Sequence, residues 1–200
     1  NLINECFSTA IQEYEYQGQY QGVYPIKVNQ QKHLVSEIVK QGQIHNLGLE
    51  CGSKPELLIT LAHMDNPNGI IICNGFKDAE YIETALLAQK LGHNVFVVVD
   101  RREEIELIIT AAQKLNVKPR IGFRCKLNAK GAGKWQESSG ARSKFGLTPS
   151  EMVSGCQQLE EVDLLSGLEL LHFHIGSQIP SIQAIKASIK EGARYYTELK

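Results

Sequence analysis

Gly22-Val23-Tyr24-Pro25-Ile26-Lys27-Val28-Asn29-Gln30-Gln31 decides between the two folds open to this chain. The run from Gly22 to Val28 reads as a strand, and Lys32 to Lys40 as the helix after it. In a doubly wound nucleotide-binding sheet, the turn after the first strand carries Gly-x-Gly-x-x-Gly, because only glycine lets the backbone approach a pyrophosphate closely. Here Asn29-Gln30-Gln31 stands in its place. The turn therefore favours a (β/α) barrel.

Outward from this stretch the same unit recurs. Leu47 to Cys51 reads as a strand, followed by a helix opening at Ser53 with Pro55 in its first turn. Gly69 to Cys73 is a continuous apolar strand, and Asp78 to Leu91 a helix ended by Gly92. Val95 to Val99 with Arg102 to Leu115 makes a fourth unit, and Arg120 to Leu127 a fifth strand. After a long polar stretch come a helix from about Pro149 to Gln158, a sixth strand from Leu168 to Ile175 and a helix from Ser181 to Leu199. The strands are apolar on both faces, as parallel strands covered by helices are. Their spacing of roughly 25 residues suits βα units. The expectation is an α/β fold, a (β/α)8 TIM-type barrel of which residues 1–200 supply about six units as a single N-terminal barrel domain. About two further units and any following domain are expected outside the chain.

Composition narrows the function classes. A net charge of -1 with acids and bases interspersed gives no electrostatic footprint for nucleic acid or a membrane surface. The longest apolar runs, Ile70-Ile71-Ile72 and Val97-Val98-Val99, are too short to span a bilayer. The chain starts inside an amphipathic pattern without the charged-then-apolar leader of a secreted protein. Its five cysteines, at 6, 51, 73, 125 and 156, are scattered and never spaced C-x-x-C, which reads as reduced thiols of a cytoplasmic protein.

Barrel enzymes place their chemistry at the C-terminal ends of the strands. That rule selects Lys27, Asn29, Glu50, Cys51, Asn74, Arg124, Lys126, His174, Ser177 and Gln178. Lys27 is the most informative, because lysine is disfavoured in strands and nearly absent from cores. If Tyr24, Ile26 and Val28 face the helices, Pro25 and Lys27 point into the barrel, where a desolvated amine becomes a nucleophile for a carbonyl. A lysine snorkelling at a strand end, or paired with Glu50, is the alternative. His172 and His174 share one face of the sixth strand, with Leu171, Phe173 and Ile175 on the other. They read as one imidazole facing the barrel mouth and aimed by its neighbour, or as a zinc-type His-x-His pair. Gly176-Ser177-Gln178 is a turn able to meet an anion such as phosphate. Gly131-Ala132-Gly133-Lys134 fails as a P-loop, since Asn128 stands where the first glycine belongs and Trp135 where Ser or Thr is needed. The basic, glycine-rich stretch around it reads as a cover for an anionic ligand or as a surface loop.

Val23-Tyr24-Pro25-Ile26-Lys27-Val28-Asn29-Gln30, Gly48-Leu49-Glu50-Cys51-Gly52-Ser53-Lys54 and Leu171-His172-Phe173-His174-Ile175-Gly176-Ser177-Gln178 resemble the biosynthetic arginine decarboxylases of bacteria and plants. Gly133-Lys134-Trp135-Gln136 and Ser143-Lys144-Phe145-Gly146 look like the same family, so the resemblance covers nearly the whole chain. It implies pyridoxal 5'-phosphate as cofactor, with Lys27 forming the Schiff base, His174 stacked on the pyridine ring, Ser177 on the phosphate, Arg124 near the ring and Glu50 beside the lysine. It further implies decarboxylation of arginine to agmatine in polyamine biosynthesis, a cytoplasmic homo-oligomer (dimer or tetramer) and a magnesium dependence. The acid that protonates the pyridine nitrogen, a glycine-rich phosphate loop and a C-terminal β-domain are expected outside these residues, which alone are expected to be inactive. The competing readings are a decarboxylase of ornithine or diaminopimelate on the same barrel, a non-catalytic cofactor-binding relative, and a metal-dependent barrel hydrolase using His172 and His174.

Overall fold

Each β-branched run forms a strand, and each amphipathic run forms the helix behind it. A computed structural model describes residues 2–127, 145–176 and 179–200. Its strands are β1 (Val23–Pro25), β2 (Gly48–Cys51), β3 (Ile70–Cys73), β4 (Asn94–Val99), β5 (Ile121–Arg124) and β6 (Leu168–His172). The helices are α1 (Leu2–Glu13), α2 (Lys32–Gly42), α3 (Lys54–His63), α4 (Ala79–Lys90), α5 (Glu103–Leu115), α6 (Pro149–Glu161) and α7 (Ile182–Leu199). All strand pairs are parallel, in the order β1-β2-β3-β4-β5-β6. Each crossover thus moves one strand further in the same direction. A doubly wound sheet would reverse at a switch point. The sheet is an arc of a barrel.

Local chemistry sets the helix ends. The Ser53 hydroxyl accepts from Glu56 N and the Asp78 carboxylate from Tyr81 N, satisfying donors that the helix leaves open. At α6, Thr148 and Glu151 form a reciprocal capping box with Pro149 in the first turn. Helix α5 closes on Asn116 in the left-handed conformation.

The period-2 alternation of the strands divides the core into two. On the outer face, Leu49, Cys51, Ile71, Cys73, Val95, Val97, Val99, Ile121 and Phe123 are buried beneath the helices. On the inner face, Ile72, Phe96 and Val98 pack with Val23, Ile70 and Leu170. A bulge between β5 and β6 keeps this parity: Ile121 pairs with Leu168, but Gly122 pairs with Leu170 and Arg124 with His172. The extra residue, Glu169, turns to the bottom of the sheet and holds Arg120, whose guanidinium lies 3.9 Å above the Phe96 ring.

Three strands are markedly shorter than the sequence predicts, β5 covering only Ile121–Arg124 of the expected Arg120 to Leu127. β1 stops at Pro25, which has no N–H for the ladder, and Ile26–Val28 winds into a 3-10 turn. β6 stops at His172 because its partner β5 ends at Arg124. The amphipathic start is helix α1; none of its residues is buried, and Phe7 stacks on Tyr20. Among the described residues no helix is long and apolar enough to cross a membrane.

Candidate active site

Because side chains alternate, the last inward residue of each strand faces a common space at the C-terminal end of the arc. That space is a cavity of about 830 Å³. Lys27, Glu50, Arg124, His172 and His174 line it, together with Asn74 and the backbone of Gly52 and Gly75. The strand-end rule thus brings Lys27, Glu50, Asn74, Arg124 and His174 to one place, but not Asn29 or Lys126. Cys51 does not join them: it faces the helices, with its Sγ 3.8 Å from that of Cys73. All five cysteines are free, three of them buried, and burial pushes the Cys125 thiol up to about 11.

Lys27 enters the cavity from the 3-10 turn after β1, not from within the strand. Its Nζ lies 3.9 Å from Glu50 Oε1, with the lysine side chain 62% exposed and the glutamate 13%. The expected desolvation of the amine is therefore corrected. The ladder ends before Lys27, so the residue sits on the rim and keeps its contact with water. Glu50 is held inward by β2, opposite Pro25 and Ile72.

Arg124 ends β5. Its Nη1 donates to both carboxylate oxygens of Asp100, at 3.0 and 3.2 Å. Phe145 lies under the guanidinium at 5.4 Å. Asp100 also lines the cavity, as does Glu56, whose carboxylate accepts from Gly52 N at 2.7 Å. Neither was selected from sequence. The signal for Asp100 was present: it continues the inward parity of Asn94, Phe96 and Val98 one step past the strand.

His172 is opposite Arg124 across the ladder, and its Nδ1 is buried without a hydrogen-bond partner. Burial, reinforced by Arg124, His174, Lys27 and Lys77, pushes its pKa down to about 4. His174 lies beyond the strand at the mouth, and burial followed by Arg124 and Lys27 lowers its pKa as well. Both imidazoles are neutral near pH 7. Among the described residues no group of three or more His, Cys, Asp or Glu is placed to hold a metal ion, so the zinc-type pair finds no further ligand there. Ser177, Gln178 and the basic, glycine-rich stretch 128–144 lie outside the described residues.

The donor set suits a flat, anionic aldehyde such as pyridoxal phosphate. It combines one primary amine at the rim, a fixed guanidinium, two uncharged imidazoles and an orphaned ring nitrogen in a concave wall. Comparison with known proteins agrees. The family model described as pyridoxal-dependent decarboxylase, pyridoxal binding domain, matches residues 1–200. The biosynthetic arginine decarboxylase of Gloeobacter violaceus is 57% identical over 98% of this chain and 31% of its own length. That of Nostoc is 50% identical over 98% of this chain and 29% of its own length. The chain thus spans about a third of the curated relatives it matches. Among solved structures, the biosynthetic arginine decarboxylase of Campylobacter jejuni superposes with a TM-score of 0.87 at 39% identity, covering 96% of this chain and 31% of that one. Diaminopimelate decarboxylase of Helicobacter pylori gives 0.75 at 25% identity, covering 96% and 48%. A six-stranded barrel arc, an amine at the mouth and a match along all 200 residues lead to one assignment: the chain belongs to the pyridoxal-binding domain family of the pyridoxal-dependent decarboxylases.

Proposed function

We propose that this chain is the cofactor-holding barrel of an arginine decarboxylase that converts arginine to agmatine and carbon dioxide, with Lys27 as the residue that anchors pyridoxal phosphate. The observation that carries the reading is the convergence of Lys27, Glu50, Arg124 and His174 on one cavity. The arginine substrate is supported by the arginine decarboxylases at 57% and 50% identity, set against 25% for the diaminopimelate enzyme.

When bound, the cofactor supplies an electron sink for the pair released as the carboxylate leaves. The chain's own residues do the rest. Lys27 presents Nζ at the exposed rim of the cavity, where it would hold the cofactor through its aldehyde. Glu50, with Oε1 3.9 Å away, forms an ion pair with the amine that would keep Nζ directed into the cavity. Arg124, fixed in direction by Asp100, would hold the anionic groups of the cofactor. His174, uncharged, offers a flat face at the mouth without adding a further cation to Lys27 and Arg124. Ser177 is assigned to the phosphate. Magnesium dependence, a cytoplasmic homo-oligomer of two or four subunits and a place in polyamine synthesis belong to the same proposal. The inactivity expected of these residues alone also belongs to it, since the relatives are about three times as long.

The test uses the full-length protein with pyridoxal phosphate, followed by its visible spectrum before and after borohydride, with peptide mapping. A yellow protein bleached by reduction, with the adduct on Lys27, and carbon dioxide release from arginine in preference to ornithine or diaminopimelate, is the expected result. An adduct elsewhere, or none, refutes the role of Lys27. Preference for another amino acid refutes the substrate.

A further inference from the structure

Beneath the cavity wall lies a charge pair that the reaction does not use. Lys77, in the loop after β3, has a fully buried side chain, and its Nζ lies 2.9 Å from Glu104 Oε2, itself buried at the start of α5. The ammonium also donates to Gly75 O at 2.6 Å. Glu104 accepts from two backbone amides, Lys77 N at 3.1 Å and Asp100 N at 2.8 Å. One carboxylate therefore clamps the β3–α4 loop to the end of β4. Asp100, 1% exposed, then turns its own carboxylate to Arg124, whose side chain is 15% exposed. The four groups form a neutral chain, Lys77–Glu104–Asp100–Arg124, that runs from the sealed interior to the cavity wall.

A buried ion pair is weak evidence for stability, because well-packed apolar side chains of similar volume generally serve as well or better. What such a pair does supply is direction. The Asp100 amide donates to Glu104 Oε2 at 2.8 Å, and Lys77 Nζ, 2.9 Å from the same oxygen, balances the charge of that carboxylate. Asp100 in turn sets the Arg124 guanidinium, for which no other anionic partner is seen among the described residues. We propose that the Lys77–Glu104 pair positions Arg124, acting through Asp100, so that the guanidinium meets the cofactor in a fixed orientation. Lys77 and Glu104 are positioning residues; they touch neither cofactor nor substrate. The inference rests on the reading of this cavity as the cofactor site.

The test is made on the full-length protein, comparing Lys77→Met/Glu104→Gln with the parent. The variant loses the charge pair but keeps a side-chain carbonyl for one of the clamped amides. Two quantities are read: the melting temperature without cofactor, and the dissociation constant for pyridoxal phosphate by fluorescence titration. The expected result is a melting temperature within a few degrees of the parent and an affinity weaker by about tenfold. The same pair of substitutions on an Arg124→Ala background is expected to change affinity less than about twofold, because the pair then has nothing to position. Lys77→Arg, which keeps the charge, is expected to restore most of the affinity. A folded variant with parental affinity overturns the proposal, and so does an equal loss on the Arg124→Ala background. Should Met at 77 prevent folding, Lys77→Gln/Glu104→Gln supplies the same comparison with a hydrogen-bonded neutral pair. Failure of the parent to trap cofactor on Lys27 would instead strike the underlying reading, so the two failures are distinguishable.

Discussion

Acid weakens this protein through His172, and the size of the effect follows from its surroundings. In the folded chain the imidazole is neutral, its pKa pushed from 6.5 down to about 4, first by burial and then by Arg124, His174, Lys27 and Lys77. The unfolded chain binds a proton there from about pH 6.5 downward, and the folded chain only from about pH 4. Between those values the unfolded state holds more protons, so stability rises with pH across the window and falls as pH drops through it. Two and a half pH units correspond to about 3 kcal/mol once both states are protonated, and about 2 kcal/mol of that is lost between pH 7 and pH 5. The assay is urea unfolding of the cofactor-stripped full-length protein at several pH values, run in parallel on His172→Gln. Gln cannot titrate, so the groups shared by both proteins cancel in the difference, including His174, whose pKa moves in the same direction. The parent should lose about 2 kcal/mol more than the variant on going from pH 7 to pH 5. Stability curves that run parallel across this range would refute the reasoning.

Two further outcomes test the frame that holds the site. Gly75→Ala places a side chain at φ 75° and drives its Cβ into the Gly52 carbonyl, joining two loops that line the cavity. A loss of at least about 2 kcal/mol in chemical denaturation is expected, along with weaker cofactor binding. Thr148→Ala removes the hydroxyl that accepts from Glu151 N at α6, and should cost about 1 kcal/mol by the same method. The Thr148 amide and hydroxyl also hold the Glu151 carboxyl below its usual range. This contribution is present above the unfolded carboxylate pKa and is lost as pH falls through the folded one, so the Thr148→Ala deficit should shrink in acid.

Strand ends are legible in sequence because they need only parity and a turn. Lys27, Glu50, Arg124 and His174 follow from that rule, and the structure gathers all four. Asp100 obeys the same rule but follows a strand read as ending at Val99, so the inward step after it went unread. Lys77 and Glu104 carry no such signal. A lysine between Phe76 and Asp78 looks like a solvated loop residue, and its partner lies in the next unit, 27 residues on. The exposure of Lys27 was likewise hidden, since it depends on where β2 stops pairing with β1 and not on the apolar run itself. The β5–β6 bulge was invisible for the same reason, yet both histidines reach the cavity, His172 by alternation within β6 downstream of the bulge and His174 from just beyond the strand end.

The sequential strand order has a consequence for how errors spread. Arg124 and His172 are direct ladder partners on adjacent strands, and Asp100, one residue past β4, is tied to Arg124 by its side chain. Lys27 and His174 stand at opposite ends of the ordered sheet, and five strand pairings separate them. Each pairing contributes its own twist of roughly 20°. The distance across the cavity mouth is therefore a sum over the arc, whereas the distance along its wall is fixed locally. A substitution deep in β3, remote from any reacting group, can open or narrow the span between Lys27 and His174 while leaving every hydrogen bond of Arg124 in place. Variation in the middle of such a sheet would tune reach at the mouth without retouching the charges that line it.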